Sequence, residues 1–300
     1  MDQNLTLVLS LVAALAVNIT KKYFTDRNRA LSGGFVFNAV STLVAAAVLL
    51  PWGGFGTASA FTLLMGIAFG AITALQGITS IAALGCGPMS YTSVIISFST
   101  LISALSGVMF FGETLGWAQA VGIIFMLASF ALAAERGAET KKANFKWLLL
   151  CLVAFFATGA IGIMQKVHQS SAYKGELNAF LIVAFVSSAV LCSLMAVVSG
   201  ARERTGEGDV ERGENGKKAL FAALLLMLIN GVCVSLNNKF NLYLSGVMES
   251  AVFFPIVNGG GLVLSTLAAV AVFKERLTKK QWLGVALGII SVIFLCNPFG

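Results

Sequence analysis

The sequence predicts an all-α integral membrane protein of ten transmembrane helices, arranged as two inverted five-helix repeats. Three observations predict it: apolar runs of spanning length that fill most of the chain, basic residues gathered into every second loop, and an internal repeat with an odd number of spans. Of 300 residues, 58% are hydrophobic and 11% charged, and the mean hydropathy is +0.89, far from the balance of a soluble domain.

A helix rises about 1.5 Å per residue, so roughly 20 mostly apolar residues cross the hydrocarbon core. Such spans are predicted at 5–20, 34–50, 61–84, 88–111, 117–134, 147–166, 178–199, 218–244, 249–273 and 281–295. They lack the alternation of barrel strands, and a strand edge facing lipid would leave backbone groups unsatisfied, so each is read as a helix. Trp52, Trp117, Trp147 and Trp282 fall at span ends, where indole sits among headgroups. The first run contains Ala14-Leu15-Ala16 but follows Met1-Asp2-Gln3-Asn4, which has no basic region. It is therefore expected to be a retained helix rather than a cleaved signal.

The basic residues report topology. Loop 1–2 carries Lys21, Lys22, Arg27 and Arg29; loop 5–6 carries Arg136, Lys141, Lys142 and Lys146. Loop 7–8 carries Arg202, Arg204, Arg212, Lys217 and Lys218, and loop 9–10 carries Lys274, Arg276, Lys279 and Lys280. The other side has Lys166, Lys174 and Lys239. The bias places both termini on the non-cytoplasmic side of an inner or plasma membrane. The net charge of +7 is spread through short loops rather than gathered on one face, which argues against a nucleic-acid partner. Cys86, Cys151, Cys192, Cys233 and Cys296 have no metal-site spacing, so neither a metal nor a cofactor is expected.

The segment Phe111-Gly-Glu-Thr-Leu-Gly-Trp-Ala-Gln-Ala-Val-Gly122 aligns without a gap on Phe273-Lys-Glu-Arg-Leu-Thr-Lys-Lys-Gln-Trp-Leu-Gly284. The same register sets Ser103 opposite Ser265 and Gln76-Gly77 opposite Asn238-Lys239. The copies are 1–142 and 143–300, with a polar loop at about 200–217 in the second. Five spans per copy force opposite insertion, and the charges agree: Gly112, Trp117 and Ala118 stand where the second copy has Lys274, Lys279 and Lys280. An inverted repeat is the architecture of secondary carriers that work by alternating access.

With its paired Phe-Gly-Glu-Thr-Leu and Phe-Lys-Glu-Arg-Leu motifs, each closing the fourth helix of a five-helix half, the chain resembles the EamA-type ten-helix carriers of the drug/metabolite transporter superfamily. The resemblance implies a basket of helices with a cavity lined by spans 1, 3, 4, 6, 8 and 9, and spans 5 and 10 at the periphery. Many such relatives keep cytoplasmic termini, whereas the charges here predict the reverse.

Ionisable and polar groups inside a bilayer need a cavity or a partner. Lys239 lies on span 8 with Asn230, Asn237, Asn238 and Asn241, and the four asparagines share one face at helical spacing. Two readings stand open: an anion site for a carboxylate or phosphate, or a lysine that snorkels to headgroups or pairs with Glu249. Glu249 opens span 9, either as a cap or as a coupling carboxylate. Glu113 and Glu275 sit at the hinges into spans 5 and 10, a hinge or capping role. Gln76 shares a face with Thr73 and Ser80, and the repeat sets its amide against that of Asn238. Span 4 offers Tyr91, Ser93, Ser97 and Thr100. Asn258, between Pro255 and Gly259-Gly260-Gly261, predicts a weakened helix with exposed carbonyls, where carriers bind ligands; a close-packed helix contact is the plain alternative. His168, the single histidine, is expected at the outer surface.

Span 1 has no acidic residue and no span has a midplane arginine, which argues against cationic drugs and nucleotide sugars. No triad or paired-aspartate pattern supports an enzyme. The expectation is a secondary transporter that exports a small polar or zwitterionic, amino-acid-like metabolite, as monomer or homodimer, with membrane lipids and a coupling proton or counter-substrate as partners. A flippase for a lipid-linked molecule is the alternative.

Overall fold

The computed structural model describes residues 2–27, 31–86, 92, 95–133, 145–203, 214–273 and 278–296. Among these the chain is all-helical, with no strand. In order come α1 (Gln3–Arg27), α2 (Leu31–Leu49), α3 (Ala60–Cys86), α4 (Thr100–Phe110), α5 (Trp117–Ala133), α6 (Phe145–Ser170), α7 (Leu177–Glu203), α8 (Glu214–Val247), α9 (Ser250–Pro255), α10 (Gly261–Phe273) and α11 (Lys279–Leu295). A 3-10 turn, Lys174–Glu176, precedes α7, and a π-turn, Ile256–Gly260, joins α9 to α10.

Among the described residues, seven stretches are long and apolar enough to cross a membrane: Gln3–Phe24, Ser32–Leu49, Ala60–Ala83, Phe145–Ser170, Lys174–Gly200, Leu220–Val247 and Ser250–Val272. Ile95–Phe110 and Trp117–Leu132 are apolar but shorter, and α11 has 17 residues. Surface and interior are reversed relative to a soluble protein. Leu64, Val197 and Phe221 are about two-thirds exposed, whereas Ser10, Ser235 and His168 are fully buried. Such exposed apolar faces suit a lipid surrounding, and the buried polar groups hold helices together.

The chain divides into two compact units. The first comprises Met1–Leu11, Leu75–Lys174 and Phe240–Gly300; the second comprises Val12–Ala74 and Gly175–Lys239.

In the first unit α5 packs along α11, and α4 packs against α9 and α6. Two hydroxyl bonds tie α5 to α11: Ser129 Oγ donates to the Gly284 carbonyl at 2.7 Å, and Ser291 Oγ to the Gly122 carbonyl at 2.6 Å. Gly122 faces Leu295 and Gly288 faces Ser129, so α5 and α11 approach closely; Gly288 also meets Val263 of α10. Each helix starts the same way: the amide of Gly116 donates to Gln119 Oε1 at 2.8 Å, and the amide of Thr278 to Gln281 Oε1 at 2.8 Å. The latter is one arm of a full capping box. Ala104, Ile123, Met126, Phe130, Ala251, Ile256 and Leu295 form the core between these helices.

In the second unit α2 packs along α7. Gly66 and Gly70 of α3 lie directly on the Phe180 and Ala184 carbonyls of α7, and Gly231 of α8 lies on Ser41 and Val44 of α2. An added Cβ would collide at Gly70 and Gly231 and crowd its neighbours at Gly66. Glu176 accepts from the amide and hydroxyl of Ser59 at 2.9 and 2.7 Å, closing the start of α3.

Candidate substrate site

In the first unit the last long span departs from regular α-helix. Pro255 removes a backbone donor and Gly259-Gly260-Gly261 supplies no packing side chain, so the helix widens into a π-turn. Around that turn Ile256, Val257, Gly259 and Gly260 are buried, yet Asn258 is exposed. Its amide donates to Thr100 Oγ1 on α4 at 3.2 Å. Gly259 is pressed against Met126 of α5, and Gly260 faces Leu11 of α1, which fixes the turn from two sides.

The polar positions of α8 have separate fates. Asn230 is buried and donates to Thr20 Oγ1 at 2.8 Å and to the Val17 carbonyl at 3.3 Å, stitching α8 to α1. Asn241 accepts from Ser10 Oγ of α1 at 2.5 Å. Asn238 donates to the Val234 carbonyl of its own helix at 2.9 Å. Asn237 is half-buried. Lys239 reaches the Trp52 carbonyl at 3.4 Å and lies 5.1 Å from the Trp52 ring centroid, in the turn that follows α2. Gln76 donates to Ser80 one turn along α3 at 3.1 Å. Tyr91 and Glu275 lie outside the described residues.

A buried polar junction joins three elements of the first unit. Gly112, at φ 66°, ends α4 and turns the chain so that Glu113 folds back over Gly107, where any side chain would collide with its carboxylate. Glu113 pairs with Lys166 of α6 at 2.6 Å, the two side chains being 12% and 9% exposed. One carboxylate oxygen accepts from the Ser250 amide at 2.6 Å, and the other lies 3.3 Å from its hydroxyl. Lys166 also donates to the Met248 carbonyl at 2.9 Å. Glu249 is exposed, occupies the N-cap position of α9 without a side-chain cap bond, and accepts from Gln119 Nε2 at 2.8 Å. The carboxylate that caps α9 is thus Glu113, contributed from a distant linker.

Sequence reasoning missed Lys166, Gln119 and Ser250. The available signal was Lys166 itself, a cation inside an apolar helix and flanked by Gln165, His168 and Gln169, all four of them buried. His168 is fully buried rather than at the surface.

Exposed apolar faces, buried polar groups and, among the described residues, seven helices long and apolar enough to cross a membrane mark a multi-pass membrane protein. The chain belongs to the EamA-like transporter family, whose pattern matches residues 145–297, a family of the drug/metabolite transporter superfamily. A Haemophilus influenzae protein described as uncharacterized is 24% identical over 204 residues, 66% of this chain and 62% of that relative's length. A solved crystal structure of a protein 15% identical in sequence overlays with a TM-score of 0.71, over 97% of this chain and 95% of the other. That likeness concerns the fold.

Proposed function

We propose that the protein is a ten-span secondary transporter that moves a small polar or zwitterionic, amino-acid-like metabolite by alternating access, in the direction of export. Asn258 carries this reading: a membrane helix interrupted by a π-turn offers one exposed amide among buried apolar neighbours, an arrangement suited to a neutral polar group of a ligand. Asn237, Asn238, Lys239 and Gln76 are proposed as further substrate contacts. Asn230 and Asn241 spend hydrogen bonds on α1 and are proposed to shape the site rather than to touch substrate.

Support for the inverted repeat, divided at 142/143, comes from the α5–α11 pair. Ser129 and Ser291 are equivalent in the repeat register, as are Gly122 and Gly284. Each serine bonds to the other copy's glycine carbonyl. Reciprocal bonding of equivalent residues is what a two-fold relation requires. The family match over 145–297 covers nearly the whole second copy. The loop charges support termini on the non-cytoplasmic side.

The test is a thermal-shift screen of purified protein against amino acids, sugars, nucleosides and organic acids. It is followed by counterflow in proteoliposomes with each hit, for wild type and Asn258→Ala. A ligand at about 100 times its Kd adds roughly 2.7 kcal/mol of stability. The expected result is a polar or zwitterionic hit whose shift and counterflow both fall at least about tenfold in apparent affinity in Asn258→Ala. Stabilisation by lipids alone would overturn the metabolite reading and put a flippase in its place.

A further inference from the structure

The buried charges at the Glu113 junction require a reason. A neutral side chain could cap α9, and an ion pair taken out of water brings no assured gain in stability. What the arrangement supplies is orientation. Its two carboxylate oxygens hold Ser250 at the amide and at the hydroxyl, while the ammonium holds the Met248 carbonyl just before the helix begins. Two points on one residue and a third before it leave α9 no freedom to roll.

The geometry points to Glu113 and Lys166 as a positioning pair that sets the rotation of α9 and, through the continuous helical path from Ser250 to Gly260, the direction in which Asn258 points. The inference rests on the transporter reading only in taking Asn258 as a substrate contact. One residue of slip turns a helix by about 100°, enough to move an exposed side chain into packed protein. The first turn of α9 is buried as well: Ser250, Ala251 and Phe253 are each 1% exposed, so a wrongly rolled helix has no smooth alternative seat. The clamp is directional. Its acid accepts from an amide and its base donates to a carbonyl, so exchanging the two charges would aim a carboxylate at the Met248 oxygen.

That direction supplies the test. In a background lacking the native cysteines, Asn258→Cys is labelled in native membranes with N-ethylmaleimide, which reads the exposure of the thiolate without any substrate. Against this parent are set Lys166→Met, the exchange E113K/K166E, the neutral pair E113Q/K166M and Ser250→Pro. Proline suits the first position of a helix, and the preceding Glu249 already has the extended backbone that a proline demands. Ser250→Pro therefore removes the amide donor while both charges stay paired.

Labelling is expected to slow at least about tenfold in Lys166→Met, in the exchange and in Ser250→Pro. In E113Q/K166M an amide oxygen still accepts from Ser250 and no charge is stranded, but the bond to Met248 is lost, so labelling is expected to fall between the parent and Lys166→Met; parent-like labelling there would overturn the part given to Lys166. Parent-like labelling in the exchange or in Ser250→Pro would overturn the inference, because the pair would then do no more than balance charge. If Lys166→Met fails to accumulate, Ser250→Pro decides the matter alone. Failure to find any substrate would count against the transporter reading and leave these rates interpretable.

Discussion

Lys166 and Lys239 look alike in sequence, single cations inside apolar runs, and the structure treats them in opposite ways. Lys166 is buried against a carboxylate and a carbonyl of its own unit. Lys239 stays half-buried and leans on the backbone and ring of Trp52. A desolvated ammonium needs a counter-charge, whereas an ammonium near a headgroup-level indole keeps water and gains only a weak cation–π contact. The difference teaches that a charge in a span shows that something must compensate it, while the form of compensation depends on which distant segment the fold delivers. The polar face of α8 drew attention by its density of asparagines, and two of them serve as ties to α1.

The largest expected effect separates the two lysines directly. Lys166→Met strands the Glu113 carboxylate in a buried site, and loss of one partner from such a pair costs about 3–5 kcal/mol. Membrane-inserted protein should therefore fall sharply and the apparent Tm drop, as measured by fluorescence-detected thermal unfolding. In E113Q/K166M most of the loss should return, since no unpaired charge remains. Equal damage from the double variant would show that the hydrogen bonds to Ser250 and Met248, rather than the charge balance, carry the stability.

A smaller effect is expected at Gln119, which accepts from the Gly116 amide at the start of α5 and donates to Glu249. Gln119→Leu removes a cap and releases an exposed carboxylate, worth roughly 1–2 kcal/mol in the same unfolding measurement. Its repeat equivalent, Gln281, caps α11 alone among the bonds described. Gln281→Leu should cost about 1 kcal/mol. A larger loss at 281 than at 119 would break the view that the Glu249 contact adds to the junction.

The helices were legible because run length is counted along the chain, and the shared helix start of α5 and α11 was legible because Gly116-x-x-Gln119 matches Thr278-x-x-Gln281 by eye. The interruption at Asn258 was legible for the same reason, through Pro255 and three consecutive glycines. The junction was not. Glu113 and Ser250 are 137 residues apart, and nothing in the Phe-Gly-Glu motif says which helix start its carboxylate will close. Gly112 was visible only as a motif letter, although its left-handed backbone is what folds Glu113 back onto its targets.

The smallest expected effect is at Lys239, and it has the most to say about function. If the ammonium does no more than rest on Trp52, Lys239→Gln should cost about 0.5–1 kcal/mol of stability, and Trp52→Leu a similar amount with no further loss in the double variant. That near-neutral background makes binding readable. A fall of about tenfold in apparent affinity for an anionic or zwitterionic ligand, with stability almost unchanged, would assign Lys239 to the substrate. Unchanged affinity would leave it as a snorkelling residue at the membrane surface, so that Asn258 rather than the lysine would define the chemistry the substrate must meet.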